Sequence, residues 1–164
     1  MALDQPAAYS FDEGMGTTAA DVSGHGNTLT LGSGASWGAG QVGSNSLVLN
    51  GTASGNAAFA SPVINTAQSF SVSAWVNLSS LSGFQTFVSI DGTNTSGFYL
   101  QLRGDTGKFA FGRVASDSNS AQTFHADATS VPSLGVWYNL IGVNDVATNQ
   151  LLLYVNGVLQ STVS

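Results

Sequence analysis

The sequence predicts an all-β fold of two packed antiparallel sheets, and three observations carry that expectation. Apolar residues alternate with polar ones at period two along most of the chain. Turn-forming clusters of Gly, Asn, Asp and Ser punctuate those runs at short intervals. Charged residues are only 7% of 164 residues, and the balance is Ser, Thr, Asn, Ala and 20 Gly. That composition suits strands and turns and is poor in helix formers.

Weak strands are expected at 7–12, 28–31, 46–50 and 57–61, separated by the glycine clusters Gly32–Gly34 and Gly38–Gly43 and by Asn50–Gly55. Phe70-Ser-Val-Ser-Ala-Trp-Val-Asn-Leu78 places apolar residues at 70, 72, 74, 76 and 78, the mark of a half-buried strand. Trp75 breaks its polar face. Another weak strand is expected at 84–91, followed by the turn cluster Asp91–Gly97. Phe98, Leu100 and Leu102 share one side of the next run, and Tyr99, Gln101 and Arg103 share the other. Gly104-Asp-Thr-Gly107 then leads into Lys108–Arg113, so 97–114 reads as a hairpin. A weak strand at 121–128 follows. Val136–Val143 is apolar on both faces, as a strand in the middle of a stack would be. Asn156-Gly157, set between 150–155 and 158–163, predicts a type I′ hairpin. No stretch carries a sustained helical period with caps, and no linker interrupts 1–164, which reads as one domain.

Nine acidic and three basic residues give a formal net charge of −6. No basic patch exists with which to neutralise phosphates, so nucleic acid is not an expected partner. No apolar run approaches the length of a membrane span. Met1-Ala-Leu-Asp-Gln-Pro6 lacks the basic and apolar regions of a signal peptide, so the chain is either intracellular or a domain excised from a longer protein. The absence of cysteine excludes thiol chemistry and disulfides without excluding export. The low-charge Ser/Thr/Asn/Gly surface favours an extracellular or surface-associated domain.

Asp21-Val-Ser-Gly-His-Gly-Asn27 sets one carboxylate before a glycine-rich curl. Such a curl can aim backbone carbonyls inward, and carboxylate plus carbonyls is the ligand set of Ca²⁺. The same residues also make a plain surface turn. Asp21, His25 and Asn27 are the candidate metal residues.

Several segments together resemble a known family. They are Ala8-Tyr-Ser-Phe-Asp-Glu-Gly14, Asp21–Asn27, Gly40-Gln-Val-Gly43 with Ser46-Leu-Val-Leu-Asn-Gly51, Phe70–Val76, Trp137-Tyr-Asn-Leu-Ile-Gly-Val143 and Leu153-Tyr-Val-Asn-Gly157. In this order they are similar to the laminin-G-like jelly rolls of the concanavalin A-like lectin/glucanase superfamily. The resemblance implies a two-sheet jelly-roll sandwich, and it implies a structural calcium at the Asp21 loop. Relatives continue past the Asn-Gly hairpin with further strands, so it also implies a sandwich lacking its C-terminal strands. The uncharged end Val158–Val163 would then present an edge to a second copy or a complementing chain.

Catalysis is not expected. Glycoside hydrolysis needs two carboxyls flanking one bond, and no strand carries a pair at i and i+2. Glu13 is the single glutamate, with Asp12 on the opposite face. Asp91, Asp105, Asp117, Asp127 and Asp145 read as turn residues. A sugar site needs an aromatic platform beside planar hydrogen-bonding groups. Trp75, with Asn77 on the same face, and Tyr99, Gln101 and Arg103 are the candidates, and would line one groove if their strands share a sheet. The alternative places Trp75 beneath a covering loop. Trp37 and Trp137 read as packing residues. The expected function is a non-catalytic carbohydrate-binding or adhesion module with a glycan or protein ligand. Alternatives are an assembly module of a virion or surface appendage and a glycan-active enzyme.

Overall fold

The computed structural model describes residues 5–164, so the Met1–Asp4 part of the N-terminal reading lies outside the described residues. Thirteen strands follow in chain order: β1 (Thr18–Ala19), β2 (Leu29–Leu31), β3 (Ala35–Ala39), β4 (Asn45–Leu49), β5 (Ala57–Ala58), β6 (Phe70–Asn77), β7 (Gln85–Asp91), β8 (Ser96–Leu102), β9 (Phe109–Val114), β10 (Thr123–Asp127), β11 (Trp137–Asp145), β12 (Gln150–Val155) and β13 (Val158–Val163). Every pairing is antiparallel. No helix occurs among the described residues. The chain clusters into two compact units, Met1–Ile64 and Asn65–Ser164.

The N-terminal unit holds a three-stranded sheet, β1-β2-β5, and the hairpin β3-β4. The strand expected at 7–12 does not form. Phe11 sits at φ 54, outside the extended region, and breaks the run. The strand expected at 57–61 shortens to two residues. Conversely, β3 runs through Gly38, expected as part of a turn. There Gly38 pairs with Ser46, and a Cβ on it would meet Val48 Cγ2 at 2.7 Å, so a side chain here would have to displace the Val48 methyl.

The C-terminal unit is built from two four-stranded sheets, β10-β9-β8-β7 and β13-β12-β11-β6. Their inner faces carry the alternating apolar residues that periodicity predicts. Phe98, Leu100 and Leu102 of β8 face Phe111 and Phe109 of β9, and Leu140 and Leu153 come from the opposite sheet. All seven are essentially sequestered from solvent. Rings bridge the sheets: Phe70 meets Phe98 at a centroid distance of 5.0 Å, and Tyr138 meets Phe109 at 5.2 Å. Gly142 of β11 lies under the Phe111 ring, which occupies the space a Cβ would need. Burying one such Phe contributes about 1.5–3 kcal/mol. Asn144 is a buried polar residue on the inner side of β11, and its Nδ2 donates to the Gln68 carbonyl at 2.8 Å.

The Asn-Gly turn forms as expected. Asn156 and Gly157 have φ 50 and 77, the two positive values a type I′ turn requires. Asn156 Oδ1 accepts from the Asn139 N–H at 2.9 Å, and the Asn156 N–H donates to the Asn139 carbonyl at 2.8 Å. The terminal strand β13 is not the bare edge its composition suggested. The register shifts opposite Leu153/Tyr154, leaving Gln160 as an extra residue on β13, and such a bulge bends an edge away from further pairing. Gln160 Oε1 accepts from Thr129 N–H at 3.2 Å and from its hydroxyl at 2.8 Å, and Ser161 Oγ donates to the Asp127 carbonyl at 2.8 Å. These bonds stitch β13 to the end of β10.

Candidate functional site

Cross-strand register decides which expected site residues meet. In β6 and β11, Trp75 stands opposite Asn139 and Asn77 opposite Trp137, so all four project from one face. It is the outer face, since Val76 and Leu140 of the neighbouring register are buried in the core. Trp75 is 46% exposed, so no loop covers it. Trp137, expected to be a packing residue, is instead part-exposed on this face. The Asn139 backbone is fixed by Asn156, while the side-chain amides of Asn77 and Asn139 are spent on no other described residue. Ile141 and Tyr154 continue the face one row further. The result is two indoles flanked by two planar amides on a rigid sheet.

Tyr99, Gln101 and Arg103 lie elsewhere. They project from the outer face of β8, in the other sheet, on the side of the sandwich away from Trp75. The single groove expected from sequence is therefore not formed. Tyr99 and Arg103 are also committed to internal bonds, and Gln101 is buried. Tyr99 Oη pairs with Thr95 Oγ1 at 3.1 Å and accepts from Ser96 N–H at 3.2 Å. Burial alone would raise its hydroxyl pKa, but the bonds from Ser96 and Thr95 outweigh it and lower the value. Gln101 is only 5% exposed. Arg103 donates to Asp105 at 2.6 and 3.0 Å and to both Asp127 oxygens at 2.9 and 3.2 Å. The hydrogen bonds to Asp105 chiefly hold the guanidinium in its charged form, and they lower Asp105 in turn. Asp127 is thus a strand residue pairing with Arg103, not the turn residue expected. Beside it, His125 leans over Gly112, its Cδ2 2.8 Å from where a Cβ would stand. Burial first, and the Arg103 charge second, lower the His125 pKa.

In the Asp21 loop the carboxylate faces backbone amides. Asp21 Oδ1 accepts from the Ala8 N–H at 3.0 Å and the Ser23 N–H at 2.9 Å, and Oδ2 accepts from the Asn27 N–H at 3.0 Å. The Asn27 carbonyl is taken by Tyr9 Oη at 2.6 Å, and Asn27 Nδ2 donates to the Pro6 carbonyl at 2.8 Å. His25 turns its Nδ1 to Ser23 Oγ at 3.1 Å. Hydrogen bonding, led by Ser23, holds the Asp21 carboxyl far below the usual range. Three of the carboxylate's roughly four lone pairs are thus taken by N–H donors, and a bound cation would compete with them. Among the described residues no group of three His, Asp or Glu side chains could hold a metal.

Residues 50–164 match a laminin G sequence model described as the concanavalin A-like lectin/glucanases superfamily. The chain belongs to this superfamily. Comparison with curated proteins finds no match. The fold is similar to the crystal structure of the binding domain of Paraclostridial Mosquitocidal Protein 1, with a TM-score of 0.68 and 17% identity over 92% of this chain. The chain spans 38% of that structure's length. At this identity the likeness is one of fold. The outward Trp75–Trp137 face keeps Trp75 and Asn77 of the expected residues, lacks Tyr99, Gln101 and Arg103, and adds Trp137 and Asn139. The signal that could have found Trp137 was the doubly apolar Trp137–Val143 run, whose odd-numbered side had no second sheet to cover it.

Proposed function

We propose that this concanavalin A-like domain is a non-catalytic carbohydrate-binding module of an exported or surface-associated protein. Its ligand would lie on the outer face of β6 and β11. The observation that carries this reading is Trp75, 46% exposed on a rigid strand, with Trp137 on the same face and two unspent amides between them. Indoles stack on the apolar face of a sugar ring, and Asn amides both donate to and accept from its hydroxyls. An exposed aromatic cluster of this kind marks a binding surface. The membership in a superfamily that includes lectins is consistent with it, although fold alone assigns no function. The non-catalytic reading is supported by Asp105 and Asp127, whose carboxylates are both paired with Arg103. No helix among the described residues is long and apolar enough to cross a membrane.

The test is a glycan array probed with the wild-type chain and with Trp75→Ala. Binding that vanishes in the variant, with an unchanged cooperative melt, supports the reading. Equal glycan binding by both would move the site off this face. A second reading, a protein-assembly module, draws on Val158 and Leu159, which are 63% and 48% exposed on β13. It requires a protein partner whose capture depends on those two side chains.

A further inference from the structure

We propose that the Trp75–Trp137 face accepts a run of neutral sugar residues and rejects anionic glycans. This rests on the carbohydrate reading above and adds the class of glycan and the length that is read.

The charge inventory comes first. The chain has three cationic side chains, Arg103, Lys108 and Arg113. Arg103 is held by Asp105 and Asp127, Arg113 belongs to β9, and Lys108 immediately precedes it. None stands on β6, β11, β12 or β13. A carboxylate or sulfate on a sugar would find no charge-assisted partner on this face. It would also meet a chain of formal net charge −6. The one acidic residue of these four strands, Asp145, closes β11 and bonds Thr148 Oγ1 at 2.7 Å and the Ala147 N–H at 2.9 Å. By parity Asp145 shares the face of Trp137 and Asn139, so the one charge these strands place there is negative and lies at the end of β11 away from the indoles. The neutral polar groups of the face are Ser71, Ser73, Asn77 and Asn139, all suited to hydroxyls.

Length follows from register. Trp75 lies opposite Asn139, and Trp137 lies opposite Asn77 two residues away, so the indoles are diagonal neighbours. Diagonal neighbours across two strands stand roughly 7–8 Å apart. That exceeds the width of one pyranose ring, so the two indoles meet successive residues of one chain. Asn77 and Asn139 fill the other two corners. Tyr154, one strand further and in the Ile141 row, extends the aromatic surface for a longer chain.

The experiment uses the whole chain against immobilised neutral polymers of glucose, galactose, mannose, xylose and N-acetylglucosamine. Polygalacturonate, heparin and sialylated lactose form the anionic arm. For the best neutral polymer, calorimetry follows with its oligosaccharides of increasing length from the monosaccharide upward. The expected result is neutral binding only, with affinity rising from monosaccharide to oligosaccharide. Trp75→Ala and Trp137→Ala should each lose roughly tenfold or more, and Trp75→Tyr should retain most of the affinity. Trp75-dependent binding of an anionic glycan would overturn the neutral assignment, and a monosaccharide as tight as the oligomer would overturn the length. Either result leaves the carbohydrate reading standing. No binding to any arm, or a protein ligand captured through Trp75, would overturn both.

Discussion

Gly142→Ala tests whether the core is packed as described. Gly142 lies on β11 between Ile141 and Val143, and the Phe111 ring occupies the place of its missing Cβ. Its φ is not positive, so backbone conformation does not demand glycine here. Considered alone, the backbone favours alanine: relieving the glycine's extra unfolded-state entropy stabilises by about 0.4–1 kcal/mol. Packing opposes it. Phe111 is fully buried, and the Phe70 and Phe98 rings, each 6.0 Å from it and 5.0 Å from one another, form one packed cluster with it, so the ring has little room to shift. Overpacking of this kind costs about 1–3 kcal/mol. The net expectation is destabilisation by about 1–2 kcal/mol, or a fall in Tm of roughly 2–8 °C for a chain of this size. Thermal melts followed by circular dichroism measure it. Phe111→Leu supplies the second arm of a double-mutant cycle, since a smaller side chain should remove part of the Gly142→Ala penalty and give a coupling above about 0.5 kcal/mol. A Gly142→Ala protein as stable as wild type, or strictly additive with Phe111→Leu, would refute this account of the sheet–sheet contact.

Three further outcomes follow from the same geometry. Stability should fall on acidification in two stages: His125 has a lowered folded pKa, so the unfolded chain takes up its proton first as pH drops through about 6.5. Asp105, Asp117 and Asp145 also have lowered folded pKa values; their contribution is complete above about pH 3.9 and is lost as pH falls through the folded values, so Tm against pH should steepen there, and less so in Asp117→Asn. Melting temperatures in EDTA and in millimolar Ca²⁺ should coincide, because the Asp21 oxygens face amides; a rise with Ca²⁺ would return Asp21 to the role of ligand. Gln160→Ala removes two hydrogen bonds to Thr129 and should cost about 1–3 kcal/mol while increasing concentration-dependent light scattering; an unchanged melt and no added association would show that the bulge alone protects the edge.

The C-terminal unit was legible in the sequence because its signals are local. Alternation along Phe70–Asn77 and Ser96–Leu102 sorts inner from outer side chains within each strand, and Asn156-Gly157 fixes a turn without outside help. What periodicity cannot supply is the identity of the sheet. Trp75 and Tyr99 each stand on the polar side of their own strands, yet β6 and β8 belong to opposite sheets, so equal parity places them on opposite outer faces. The N-terminal unit was harder to read for a different reason. Phe11 at φ 54 ends an otherwise strand-like segment, and nothing in residues 7–12 announces it. Partners of the aspartates were hidden by distance along the chain. Asp117 accepts three successive amides, Thr93, Asn94 and Thr95, more than 20 residues earlier, and Asp12 accepts Ser44 and Asn45 more than 30 residues later.

Those aspartates also explain how so uncharged a chain keeps its loops ordered. In both the Asp12 and Asp117 clamps, the carboxylate takes consecutive backbone N–H groups while an Asn side chain returns a bond to the aspartate's own carbonyl. Asp21 does the same work for its loop, binding Ser23 and Asn27 across the curl and Ala8 from the preceding segment. A carboxylate accepting two or three amide hydrogens is favoured in its charged form, which is the cause of the lowered Asp117 value. All eight acidic residues in the described chain accept hydrogen bonds, and Arg103 neutralises two of them. Charge is thereby concentrated in loops and at strand ends, where it fixes backbone. The outer face of β6 and β11 between those ends is left to Trp, Asn, Ser and the aliphatic Ile141 and Val143. On the carbohydrate reading proposed above, such a surface would hold its ligand by stacking on Trp75 and Trp137 and by hydrogen bonds from the two amides to neutral hydroxyls.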